Sequence, residues 1–184
     1  MKALFIGRFQ PFHKGHLKVI QDISKKYDEI IIGIGSSQYA NTMENPFTAA
    51  EREEMIKKSL KEIGVKNYKI FFIPDIHNPS KWVDHVTSII PSFDVVVSNN
   101  TFTLTLFSEK GFKVIKTPLY NKKMYSGKEI RKRMMNDEKW VDLVPTPVAN
   151  IIKDIDGVKR LKNFIKKREK KVFKMFFLSV SLFY

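Results

Sequence analysis

Ala3-Leu4-Phe5-Ile6-Gly7-Arg8-Phe9-Gln10-Pro11-Phe12-His13-Lys14-Gly15-His16 decides the fold. Ala3–Ile6 is a short apolar run of strand character. A helix follows over Gly15–Tyr27, with Leu17, Ile20, Ile23 and Ser24 at helical spacing. The loop between them is made for an anion. A helix N-terminus presents unpaired N–H groups and a partial positive charge. Gly15 lets a ligand approach the backbone closely. His13 and His16 straddle that glycine and can donate to phosphate oxygens. Arg8 adds a forked cation at the strand's end. Pro11 stiffens the loop, and Phe9 and Phe12 anchor it in a core.

The same alternation continues outward. Glu29–Gly35 reads as a second strand, apolar on both faces as buried parallel strands are. Thr48 with Glu51 forms a capping-box pattern for a helix that ends near Gly64. Lys69–Ile73, Val95–Ser98 and Phe112–Thr117 are further strands. Lys81–Ile90, Thr103–Lys110, Ser126–Met135 and the stretch from Pro147 onward are helices. Strand and helix in alternation predict right-handed βαβ units and an open α/β parallel sheet. Ligands bind such sheets outside the carboxyl ends of the strands. Gly7–His16, Gly35–Phe47 and Ser98–Thr101 are the loops placed there.

The chain has 184 residues and a net charge of +14, with no cysteine. That excludes a disulfide framework and a thiolate nucleophile or metal site, and it suits a cytoplasmic protein. Residues 1–170 are expected to form one domain. The basic excess concentrates in Asp156–Lys174, with nine basic and two acidic residues. It reads either as a solvated helix face or as a polyanion surface. Val172–Tyr184, within an apolar tail over residues 171–184, is too short to span a bilayer, which needs ~20 residues. Packing or subunit association is the reading favoured over membrane contact.

Ser126 with Glu129 is another capping-box pattern. It opens a helix whose Lys128, Arg131 and Lys132 add positive field and a phosphate-reaching guanidinium. The His-x-Gly-His phrase resembles the phosphate site of the HxGH nucleotidyltransferase superfamily. The fuller Gly7–His16 segment resembles the archaeal type of nicotinamide-nucleotide adenylyltransferase. Gly33-Ile34-Gly35-Ser36-Ser37-Gln38, Asn45–Arg52 and Tyr125–Met134 support the narrower match, in order, from Ala3 to Lys167.

The resemblance implies a Rossmann-like doubly wound sheet of nucleotidylyl transferase type with a helical C-terminal part. It implies that ATP and nicotinamide mononucleotide (NMN) give NAD and pyrophosphate. Arg8, His13, His16 and Arg131 would be catalytic, holding the triphosphate and stabilising the leaving group. Gly7, Phe9, Gln10, Gly15, Ser126, Gly127 and Lys128 would contact ATP and its phosphates. Ser36, Asn78, Trp82 and Asn100 would contact the acceptor nucleotide. Mg²⁺ would arrive on the ATP phosphates, with no metal cage in the protein. A homo-oligomer, a hexamer included, is implied as well.

Two departures concern the acceptor. Pro79 stands where the family often has asparagine, with Asn78 one residue earlier. Ser98-Asn99-Asn100 replaces Ser-Gly-Asn, where Asn99 can adopt a left-handed conformation better than most residues. His77 and His85 flank Trp82, and surface or packing roles are expected of them. Alternatives remain at this point. The acceptor is a flavin mononucleotide or phosphopantetheine group, or the transfer is cytidylyl. A different class is a basic nucleic-acid-binding protein with no specific motif, and another is a catalytically dead regulatory module.

Overall fold

The computed structural model describes residues 1–118, 120–121 and 123–164. In chain order the elements are β1 (Lys2–Gly7), α1 (Lys14–Ile23), β2 (Glu29–Gly35), α2 (Ala49–Glu62), β3 (Tyr68–Ile73) and α3 (Pro79–Ile89). Then come β4 (Val95–Ser98), α4 (Thr101–Glu109), β5 (Val114–Lys116), α5 (Gly127–Met135), a 3₁₀ turn (Val141–Leu143) and α6 (Thr146–Asp154). A further helical segment covers residues 157–164. The apolar tail over residues 171–184 lies outside the described residues.

The sheet is parallel throughout, in the order β3-β2-β1-β4-β5. Strand periodicity divides its side chains between two cores. Ala3, Phe5, Ile30, Ile32, Val95 and Val97 face one layer, built from α1, α2, α5 and α6. Leu4, Ile31 and Val96 face the other, built from α3 and α4. The chain first travels from β1 to β3 with its helices on one face. It then crosses to β4 and runs outward with its helices on the opposite face. Right-handed crossovers require that change of face when direction reverses. The crevice between β1 and β4 is therefore the topological switch point, where such sheets bind ligands.

Several boundaries differ from those expected. Helix α1 ends at Ile23, where Ser24 takes the C-cap place, four residues before Tyr27. Helix α3 begins at Pro79, because Asn78 caps it and proline suits a first helical position. Thr48 and Glu51 form the reciprocal box foreseen for α2. Ser126 and Glu129 complete only half of theirs. The Ser126 hydroxyl accepts from the Glu129 N–H at 3.2 Å, but the Glu129 carboxylate turns to Arg133 at 2.8 Å. Among the described residues no helix is long and apolar enough to cross a membrane.

Candidate active site

A cavity of about 700 Å³ opens at the carboxyl ends of the strands, over the switch point. Its floor is the turn from β1 into α1. His13 caps α1, and its Nδ1 accepts the His16 N–H at 3.3 Å. The His13 N–H in turn donates to His16 Nδ1, also at 3.3 Å. Both Nδ1 atoms accept, so each neutral ring carries its proton on Nε2. The two rings stack with centroids 3.5 Å apart, and Phe12 stacks on His16 at 5.6 Å. Phe9 meets His16 edge-on at 4.9 Å. Burial pushes the His13 imidazole down to about 4. Burial, followed by the neighbouring His13, pushes His16 well below its ordinary value of 6.5. Two neutral imidazoles thus stand as fixed N–H donors.

Gly7, Arg8, His13, Gly15, His16, Ser36, Asn78, Trp82, Asn100, Ser126 and Gly127 line this one cavity. Along the chain they lie in widely separated segments. Arg8 is exposed within it, and its side chain forms no ion pair among the described residues. Trp82 lies half-buried, its ring packed edge-on against Phe107 at 5.7 Å, so only part of the indole faces the cavity.

Four expected contacts are not in the lining. Phe9 is 1% exposed and belongs to the core beneath the loop. Gln10 is buried, its amide exchanging bonds of 2.8 and 3.0 Å with the backbone of Phe47. It joins the loop after β1 to the loop before α2 instead of reaching phosphate. Lys128 is exposed outside the cavity. Arg131 stands behind the wall, its Nη1 donating to the Gln10 carbonyl at 2.6 Å. Burial and then the charge of Arg8 hold its guanidinium below the ordinary arginine value, which places two cations close together where an anion would relieve them.

Two of the acceptor-side asparagines also serve as helix caps. The Asn78 side-chain oxygen accepts from the Lys81 N–H at 3.3 Å and from Ser80 Oγ at 2.8 Å. Asn100 Oδ1 accepts from the N–H groups of Phe102 and Thr103. Each keeps its amide NH₂ as the group able to reach a ligand. Asn99 does not use the left-handed region open to asparagine; the Asn100 N–H donates to Ser98 Oγ at 3.1 Å and fixes that turn.

Sequence reasoning missed Asp75, Phe102, Tyr120 and Tyr125, all of which line the cavity. So does His77, for which a surface or packing role is expected from the sequence. His77 is held at φ 52°, with its ring on the Tyr39 hydroxyl and its N–H on Asp75 Oδ1. His85 has a packing role, its Nε2 bonded to the Pro74 carbonyl at 2.9 Å. Only Tyr125 carries a sequence signal, because it directly precedes Ser126. Among the described residues no group of three or more His, Asp or Glu is placed to hold a metal ion. Among the described residues Asp75 is the one carboxylate in the lining.

Residues 4–133 match the family model described as cytidylyltransferase-like. The nicotinamide-nucleotide adenylyltransferase of Archaeoglobus fulgidus is 49% identical over 169 residues, covering 89% of this chain and 97% of that protein. The protein of that name from Methanococcus aeolicus is 51% identical over 162 residues, covering 88% and 94%. Among solved structures, a bifunctional NMN adenylyltransferase/ADP ribose pyrophosphatase from Francisella tularensis, complexed with AMP and a manganese ion, superposes with a TM-score of 0.74 at 24% identity. It covers 94% of this chain, which spans 56% of that one, and the likeness shows the fold. Two histidine donors on a helix N-terminus at the switch point of a parallel sheet, together with half the residues shared along nearly the whole length of the relatives, lead to one conclusion: the chain belongs to the archaeal-type nicotinamide-nucleotide adenylyltransferases, within the cytidylyltransferase-like family.

Proposed function

We propose that the cavity transfers AMP from ATP to NMN, forming NAD and pyrophosphate, by positioning and charge neutralisation alone. The observation that carries this reading is the pair of neutral imidazoles locked on the N-terminus of α1 beside Arg8. An oxygen of the acceptor's 5′-phosphate attacks the α-phosphorus in line. The bond from that phosphorus to the bridging oxygen breaks, and its electron pair leaves with pyrophosphate. The acceptor phosphate has its second pKa near about 6 and is largely dianionic at neutral pH, so no general base is required. The two Nε2–H groups and Arg8 hold the triphosphate and stabilise charge developing on the leaving group. Arg131 lends its field from behind the wall.

Ser126 and Gly127 bring the N-terminus of α5 to the same cavity, beside that of α1. Trp82 offers an indole face to the cationic pyridinium ring, and Ser36 and the amides of Asn78 and Asn100 surround the acceptor. Mg²⁺ belongs to the substrate in this reading. The lining supplies cations and imidazoles, with one carboxylate among the described residues, so the ion would be held mainly by the substrate's phosphates. Purified protein with Mg-ATP should release pyrophosphate only when a pyridine mononucleotide is present. Turnover with flavin mononucleotide and none with NMN or its acid form would overturn the acceptor assignment. The family expectation of a homo-oligomer is part of the reading, and light scattering on the same preparation should give more than one protomer's mass.

A further inference from the structure

Arg52 is fully buried on α2, and the chemistry above gives it no part. Its guanidinium forms no bond to a carboxylate among the described residues. Nη1 donates to the carbonyls of Arg8 and Gly35, each at 2.9 Å. Nε donates to the Thr48 carbonyl at 3.1 Å, and Nη2 lies near those of Ser36 and Tyr39 at 3.4 and 3.5 Å. The placement of Nη1 is informative. Arg8 and Gly35 each precede a residue in the left-handed region, Phe9 at φ 52° and Ser36 at φ 48°. Neither has the glycine that such a turn favours. A single nitrogen therefore pins the two peptide groups at which the chain turns away from the adjacent strands β1 and β2. Those turns present Arg8 and Ser36 to the cavity.

We propose that Arg52 is a positioning residue for the transfer: it holds the two strand-end turns in register so that Arg8 and Ser36 meet the nucleotides together. Lysine cannot replace it, because an ammonium lacks the planar fork that reaches several carbonyls at fixed angles. Arg52 also brings a buried positive charge to the back of the phosphate site. Burial lowers it to about 10, so it remains protonated at neutral pH. Its neighbouring Glu51 is engaged by Arg160 through two bonds of 2.9 Å.

The proposal rests on the phosphate reading of the cavity. Its test compares Arg52→Lys, Arg52→Met, Arg8→Ala and Leu60→Ala in the full chain, by steady-state kinetics, thermal melting and pyrophosphate product inhibition. Leu60 is fully buried further along α2, away from the cavity, so Leu60→Ala matches a loss of stability with no change at the site. Arg52→Lys is expected to fold and to lose ~10- to 100-fold in kcat, as displacement of positioning groups by about 1 Å does, with weaker pyrophosphate inhibition. Leu60→Ala should melt earlier and keep the wild-type kcat. Should Arg52→Lys behave like Leu60→Ala while Arg8→Ala is inactive, Arg52 is only a packing residue and the proposal fails. If Arg8→Ala keeps full activity as well, the phosphate reading beneath it fails. Arg52→Met, which removes the charge, need not fold for Arg52→Lys to decide the matter.

Discussion

In the proposed transfer, His13 and His16 are structural and chemical at once. Each caps the other's backbone through Nδ1, and that bond fixes the tautomer that leaves Nε2–H free to donate. Stacking on Phe12 removes the remaining rotational freedom of His16. Its donor is thus in place before substrate arrives, which is the condition for stabilising a transition state without reorganisation. His16→Ala should lower kcat by about 10²- to 10³-fold, the usual effect of deleting one such donor, while binding weakens far less. Single-turnover measurement separates the two, and an unchanged rate would remove His16 from the transition state. The Gly7–His16 segment announces both histidines. Their mutual capping is a local contact at the helix start, but the His-x-Gly-His spacing does not say that each ring turns its Nδ1 to the other's backbone. The bonding of Gln10 is beyond it for another reason, since its partner Phe47 lies 37 residues away.

At the scale of elements, the start of α5 is fixed by a close approach. A Cβ on Gly127 would lie 2.7 Å from the Gln10 carbonyl oxygen and 3.0 Å from Arg131 Nη1. The first is backbone and cannot give way without moving the Gly7–His16 loop. Alanine is the better helix former by nearly 1 kcal/mol, so propensity alone predicts that Gly127→Ala stabilises. Overpacking predicts a loss of about 1–3 kcal/mol, with a higher KM for ATP. Urea denaturation decides the sign. Helix α3 makes a related point. Its cap falls on Asn78 because Pro79 fits the first helical position, so the substitution that looks like a missing acceptor contact is also a shift of the helix start. The asparagine stays at the cavity, with its oxygen bound to the helix.

Across the whole molecule, the buried imidazoles tie global stability to pH. His13 titrates near 4 when folded, against an ordinary value of 6.5, and His16 is lowered too. Between those values the unfolded chain binds more protons, so stability falls as pH drops from about 6.5 toward 4 and is fully present above 6.5. His13 loses about 1.4 kcal/mol of stabilisation for every pH unit crossed in that window, and His16 adds to the loss in the same direction. Urea midpoints at pH 7 and pH 5 should differ in that direction, and the His13→Asn variant should show a smaller difference; equal dependence would clear His13 of the effect. The basic C-terminal excess also looks different in three dimensions, since Arg160 grips Glu51 and Lys162 pairs with Asp137. The sequence by itself determined the alternation of strands and helices, the parallel sheet, the strand-to-helix turn at Gly7–His16 and the family. Those features rest on local periodicity, capping chemistry and a contiguous motif. Only the tertiary structure decided that His77, Phe102 and Tyr120 join the cavity, that Arg131 stands behind it, and that Arg52 joins two turns. Those outcomes depend on loops from different strands meeting at the switch point, and no local pattern encodes the distance between them.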